Sequence, residues 1–173
     1  MLQELTIEEF LEELAARKPT PGGGSVAALS GALSAGLVSM AAEFSRNKDI
    51  SEESRGLMNT LTRLVDKDAK AFAGGDLREA TEVPLQTARY SYAVLKLAEA
   101  LLESCNPNVI TDIGVAAKMA ESAIKGALLN VKVNLVSIRD EDYEKEVLRE
   151  AEEFCCPEYL AGMIVSKIQA RLH

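Results

Sequence analysis

Pro19-Thr-Pro-Gly-Gly-Gly-Ser-Val-Ala-Ala-Leu-Ser-Gly-Ala-Leu-Ser-Ala-Gly-Leu-Val-Ser-Met-Ala-Ala42 carries no charged residue. Two prolines and three glycines form a turn, and a run of Ala, Ser and Gly follows at once. Large residues recur at Val26, Leu29, Leu33, Leu37, Met40 and Phe44, in steps of three and four that make one helical stripe. A second stripe is small: Gly24, Ala28, Gly31, Ala35, Ser39 and Ala42. Small residues at that spacing let another helix approach closely, so a helix over about 25–44 has neighbours on at least two faces and is central. The turn before it has two readings. Gly22, Gly23, Gly24 and Ser25 leave backbone N–H groups unshielded at the positive end of a helix, where an anion or a polar ligand edge can bind. The same glycines also serve a tight turn between two closely packed helices.

The flanking sequence is helical throughout. Thr6-Ile-Glu-Glu9 is a capping box, followed by the apolar positions Phe10, Leu11 and Leu14 and stopped by Pro19 and Pro21. After the polar break Arg46-Asn-Lys-Asp-Ile, Ser51-Glu-Glu-Ser restarts a helix whose apolar face holds Leu57, Leu61, Leu64, Val65 and Phe72. Asp68 falls on that stripe, and a carboxylate there is a salt-bridge partner, a stripe-edge residue or a functional group. Ala73-Gly-Gly-Asp76 is a turn ending in an N-cap. A fourth helix covers about 77–104, with a kink expected at Pro84. Cys105-Asn-Pro-Asn108 is a turn, and Asp112 is a candidate N-cap for the longest helix, about 113–139, roughly 40 Å long. Asn130 and Asn134 sit one turn apart on an apolar face of it and need hydrogen-bond partners, from a neighbouring helix, a subunit partner or a ligand. A charged helix from Asp140 and a last helix with Pro157 in its first turn complete the chain. The fold class is all-α: a multi-helix bundle built round a central small-residue helix and one long helix.

At 173 residues the chain reads as a single domain, 1–173, with enough length for a core. A net charge of −8 argues against nucleic acid and anionic membranes as partners but says nothing against a small anion. The uncharged run is long enough to cross a membrane, but its Pro, Gly, Ala and Ser content fits a buried helix better. Cys105, Cys155 and Cys156 make no disulfide framework, and with no signal peptide a cytoplasmic setting is expected. The only histidine is His173, so a histidine triad or a His-ligated metal site is not expected. No P-loop, dinucleotide fingerprint, CxxC, HExxH or EF-hand pattern occurs. Chemistry must rest on carboxylates, amides, hydroxyls, Lys, Arg or Tyr.

Three stretches together resemble the cyclodeaminase/cyclohydrolase family of folate enzymes: Pro19-Thr-Pro-Gly-Gly-Gly-Ser-Val-Ala-Ala28, Asp68-Ala-Lys-Ala-Phe72, and Asn106-Pro-Asn-Val-Ile-Thr-Asp-Ile-Gly-Val-Ala116 running on to Gly126–Asn134. The resemblance spans nearly the whole chain in order. It implies an all-helical homodimer with folate sites near subunit contacts. It also implies either closure of 5-formimidoyltetrahydrofolate to 5,10-methenyltetrahydrofolate with loss of ammonia, or addition of water to the methenyl bridge. Both reactions need proton transfer, and neither needs a metal or another cofactor. Asp112 and Asp68 are the candidates for that transfer. Gly22, Gly23, Gly24 and Ser25, with Lys48, Asn106, Asn130 and Asn134, are candidates for holding the tetrahydrofolate derivative.

One departure stands out. Only Ala73 to Glu82 separates Phe72 from the Val-Pro-Leu element, which is shorter than the family pattern. That shortening motivates an alternative: a non-catalytic folate-binding or dimeric scaffold member of the same fold. A helical dimerisation module in which the small-residue helix is only a packing seam is a third reading.

Overall fold

The computed structural model describes residues 1–154 and 156–172; Cys155 and His173 lie outside them. Among the described residues every regular element is helical: α1 (Ile7–Ala15), α2 (Gly23–Phe44), α3 (Lys48–Gly74), α4 (Leu77–Leu101), α5 (Ile110–Leu135), α6 (Glu141–Glu152) and α7 (Pro157–Arg171). Short 3-10 turns at Leu2–Glu4 and Pro107–Val109 precede α1 and α5.

α2 is the centre, packed by α3, α4 and α5. Its small stripe does that packing, since Gly24, Ala28, Gly31, Ala35, Ser39 and Ala42 are all buried. At Gly31 an added Cβ would stand 2.4 Å from Ser91 Oγ of α4 and 3.2 Å from Leu61 Cδ2 of α3, so only glycine admits both neighbours. Serines stitch the seam. Ser30 Oγ donates to the Met119 carbonyl at 2.9 Å and Ser34 Oγ to the Ala116 carbonyl at 2.7 Å, so α5 runs antiparallel to α2. Ser39 Oγ reaches the Ser51 carbonyl at the other end of α2, and Gly24 abuts Asp68, so α3 is antiparallel as well.

The large stripe of α2 faces outward instead. Val26, Leu33 and Phe44 are exposed and Leu29, Leu37 and Met40 half-buried. Three helices crowd the small faces, and the bulky face is left largely open, with Leu29 and Leu37 packing at its edges against the core. Phe72, expected on the buried face of α3, is also exposed.

Several boundaries depart from expectation. α3 begins at Lys48 because Asn47 caps it, its side chain accepting from Ile50 N–H at 3.2 Å. With 27 residues α3, rather than the 26-residue α5, is the longest helix. α5 starts at Ile110, so Asp112 lies in its first turn and Val109 is the N-cap position; the capping role expected of Asp112 does not hold. α4 passes through Pro84 unbroken. Pro84 lacks the N–H that would reach the Ala80 carbonyl, and Asn134 Nδ2 of α5 donates to that carbonyl at 2.6 Å. Within the short Ala73–Glu82 segment only Gly75 and Asp76 lie between α3 and α4, in a tight turn: Gly75 adopts φ 72°, and Asp76 accepts from the N–H groups of Arg78 and Glu79.

α2 is long and apolar enough to cross a membrane by length and composition, yet 61% of its most apolar window is buried inside the protein. It is the core helix of the bundle.

Candidate active site

The N-terminal end of α2 meets α3 and α5 around one carboxylate. Asp68 projects from α3, and Ser25 Oγ donates to its Oδ2 at 2.8 Å. α2 has no side-chain cap of its own; its N-cap position is Gly22. Asp68 therefore stands where a capping acceptor would, supplied by another helix. Gly24 makes the approach possible. A Cβ there would lie 2.0 Å from Asp68 Oδ1 and 2.6 Å from its Cγ. Gly23 faces α5, where a Cβ would stand 3.8 Å from Asn130 Nδ2. The Asn130 amide donates to the Gly126 carbonyl one turn back at 2.8 Å.

Opposed influences act on Asp68. Burial raises its pKa and is the strongest of them; the Ser25 hydroxyl and then the Ser25 backbone N–H pull it down. The net direction is upward, because partial withdrawal from water costs the carboxylate more than one neutral donor and a helix end return. A carboxylic acid moved up from the usual range is suited to taking and returning protons nearer neutral pH.

The other candidates lie elsewhere. Asn106 is at the far end of α2, roughly 30 Å away along the helix at ~1.5 Å per residue. Its Nδ2 donates to the Phe44 carbonyl at 3.2 Å, its N–H to Ser45 Oγ at 2.9 Å, and its Oδ1 accepts from Asn108 at 3.0 Å. It caps and fastens the C-terminus of α2. Asp112, half-buried, and Lys48, exposed, belong to that same end. Within one chain Asp112 and Asp68 do not converge. Asn134 is committed to the Ala80 carbonyl and is a structural bridge. Gly22–Ser25, Asp68 and Asn130 are thus one cluster, and Lys48, Asn106 and Asp112 another.

Asp66 is a buried carboxylate that sequence periodicity does not single out. Its Oδ1 accepts the Leu2 N–H at 2.5 Å, tying the N-terminal turn to α3. Among the described residues no group of three or more His, Cys, Asp or Glu side chains is placed to hold a metal ion. The larger clefts avoid Asp68. One of about 620 Å³ runs between α5, α6 and α7 past Leu128, Leu148 and Phe154; one of about 530 Å³ lies at the Gly75–Arg78 turn beside Ser137 and Asp140, and one of about 490 Å³ between α5 and α7. The charged groups along the first, Lys125, Lys132, Glu152 and Glu158, are exposed surface residues, whereas Asp68 is a half-buried carboxylate seated on a helix end, so the chemistry, not the volume, selects the Asp68 cluster.

The sequence pattern of the formiminotransferase-cyclodeaminase family matches residues 6–74 and 75–153, with its one interruption at the tight turn between α3 and α4. The chain is 38% identical to the methenyltetrahydrofolate cyclohydrolase of Methylorubrum extorquens, over 85% of this chain and 87% of that protein. It is 29% identical to the formimidoyltransferase-cyclodeaminase of Rattus norvegicus over 84% of this chain, but spans only 33% of that longer protein. Its backbone superposes on the crystal structure of formiminotetrahydrofolate cyclodeaminase from Thermotoga maritima with a TM-score of 0.93, all of both chains covered, at 28% identity.

Proposed function

The chain belongs to the formiminotransferase-cyclodeaminase family, and from that premise we propose that it is a folate one-carbon enzyme, with methenyltetrahydrofolate cyclohydrolase as the first reading. The 38% identity to a cyclohydrolase of similar length favours that activity. The full-length match to a cyclodeaminase favours formimidoyltetrahydrofolate cyclodeaminase as the second. The observation that carries the reading is Asp68, a half-buried carboxylate held against the N-terminus of α2 with its pKa raised by burial.

In the cyclohydrolase reaction water adds to the methenyl carbon, and Asp68 takes one of its protons. The tetrahedral carbon then collapses: one C–N bond breaks, Asp68 returns its proton to the departing nitrogen, and the hydroxyl proton goes to solvent as the formyl group forms. In the cyclodeaminase reaction N10 attacks the formimidoyl carbon, Asp68 takes the N10 proton, and the amino group leaves as ammonia after receiving it. One carboxylate serves both as base and as acid, which is why a pKa above the usual carboxylate range helps. The N-terminus of α2, presented by Gly22–Ser25, is suited to a carboxylate of the tetrahydrofolate derivative or to charge developing at the reacting carbon. The compartment we infer is the cytoplasm, which suits the free, buried thiol of Cys105.

The assembly we propose is a homodimer across the outer face of α2. Val26, Leu33 and Phe44 there, with Val115, Leu129 and Val133 of the adjoining α5 surface, are exposed apolar side chains on neighbouring helices. A two-fold axis crossing α2 near its middle sets the copies antiparallel. The Lys48–Asn106–Asp112 end of one copy then adjoins the Asp68 end of the other, which supplies the convergence one chain lacks. Mixing inactive Asp68→Asn and Asp112→Asn variants and letting subunits exchange would then recover up to about a quarter of wild-type activity; no recovery would place Asp112 outside the shared site.

The enzyme reading is tested by following methenyl absorbance with 5-formimidoyl- and 5,10-methenyltetrahydrofolate. Saturable folate binding without acceleration of either reaction would replace it with a non-catalytic folate-binding protein. Absence of folate binding would leave only a dimeric scaffold.

A further inference from the structure

We propose that Ser25 is a positioning residue for Asp68: its hydroxyl fixes the carboxylate and supports its ionised form, and does not touch the folate. The proposal rests on Asp68 being the proton-transfer group. The serines of α2 divide by what they hold. Ser30, Ser34 and Ser39 donate to backbone carbonyls of neighbouring helices, and their work is packing. Ser25 donates to a carboxylate oxygen.

Ser25 is fully buried, so its hydroxyl is not presented to a ligand. A serine hydroxyl carries one proton to donate, and Asp68 Oδ2 has it. The opposite side of the carboxylate is closed by the α-carbon of Gly24, where not even a methyl group fits beside Oδ1. Asp68 is thereby held between consecutive residues of α2, one giving a hydrogen bond and the other a close surface. Its freedom to rotate is removed before substrate arrives, and pre-set geometry of that kind speeds a proton transfer.

The variants Ser25→Ala, Ser25→Thr and Ser25→Ala/Asp68→Asn test this. A hydrogen bond to a charged group corresponds to roughly a ten- to hundredfold effect, so Ser25→Ala is expected to lower kcat by about that factor. KM should stay within about twofold, and the acidic limb of the pH–rate profile should move to higher pH, since the ionised carboxylate has lost a donor. Ser25→Thr, which keeps the hydroxyl, should restore most of the loss, and Ser25→Ala should add no further defect in the Asp68→Asn background. A rise in KM with kcat unchanged would mean that Ser25 contacts the folate and would overturn the proposal. A second readout needs no turnover: the carboxyl 13C resonance of Asp68, titrated by NMR in wild type and Ser25→Ala. Its midpoint should move up in the variant, and an unmoved midpoint refutes the positioning role. If wild type accelerates neither reaction, the function proposed above fails, while the titration still decides the role of Ser25.

Discussion

Replacing Gly24 by alanine perturbs the site with one methyl group. The added Cβ would lie 2.0 Å from Asp68 Oδ1, 2.6 Å from Cγ and 2.9 Å from Oδ2. Normal carbon–oxygen contact is over 3 Å, so the carboxylate must retreat by about 1 Å or more. The hydrogen bond from Ser25, 2.8 Å long, does not survive that shift. Stability responds weakly, because opposing effects are similar in size. Alanine gains up to ~1 kcal/mol over glycine in a helix, and overpacking or an off-rotamer Asp68 costs ~1–3 kcal/mol. The melting temperature is then expected to fall by no more than about 2–8 °C. Activity responds strongly, since a misplacement near 1 Å costs about a hundredfold in rate. Steady-state kinetics by methenyl absorbance, with circular dichroism melting beside them, should show kcat down roughly a hundredfold in a folded protein. Gly36→Ala is the control: its Cβ would sit 3.6 Å from Met58 Sδ, an ordinary contact, and it should behave as wild type. A Gly24→Ala enzyme with kcat within about twofold of wild type would refute the idea that the Asp68 seat has no spare room.

Other perturbations probe the charge on Asp68, the seam of α2 and the contact between subunits. Asp68→Asn should melt higher than wild type at neutral pH. Burial raises the Asp68 pKa, so the native state keeps this proton to higher pH than the unfolded chain. The favourable contribution, present below the ordinary value near 3.8, is lost as pH rises through the folded pKa. The advantage of Asn should therefore shrink on acidification, and an unchanged difference between the two melting curves would contradict it. Gly31→Leu should lower the melting temperature by several degrees or prevent folding, because even a Cβ there stands 2.4 Å from Ser91 Oγ; a wild-type melt would show the α2–α4 contact to be open. Leu33→Asp, which puts a charge in the middle of the outer face of α2, should give monomers in analytical ultracentrifugation and reduced turnover. Unaltered sedimentation would remove that face from the assembly.

Much of the fold was legible because local chemistry determines it. The capping box at Thr6 forms as written, with Glu9 Oε2 accepting from the Thr6 N–H at 2.8 Å and Thr6 Oγ1 from the Glu9 N–H at 3.2 Å. The Gly75-Asp76 turn and Pro157 in the first turn of α7 are equally local. The direction of each helix face was less legible. Periodicity showed that α2 has a large stripe and a small one, but not that the small one faces the core. That depends on how many helices converge on it. Asp68 was readable as a polar residue on an apolar stripe, and the Gly22–Ser25 turn as a place of close approach. Their meeting was not, since it requires knowing that α3 runs antiparallel to α2. Asn134 was legible as an amide in need of a partner on a neighbouring helix, a second subunit or a ligand; that a helix supplies one, through the carbonyl freed by Pro84, was not, because that carbonyl lies 54 residues away in sequence. Asp112 and Asn106 carry a family motif, and motif spacing does not tell that they stand at the opposite end of α2 from Asp68.

Whether Asp68 moves the proton is decided by the initial rate of methenyl absorbance change for wild type and Asp68→Asn with each of the two folates at saturating concentration. Wild type should accelerate at least one reaction well above the uncatalysed rate, methenyl hydrolysis first, and Asp68→Asn should lose that acceleration while remaining folded. Rates for Asp68→Asn equal to wild type, or no acceleration of either reaction by wild type, would contradict proton transfer by Asp68.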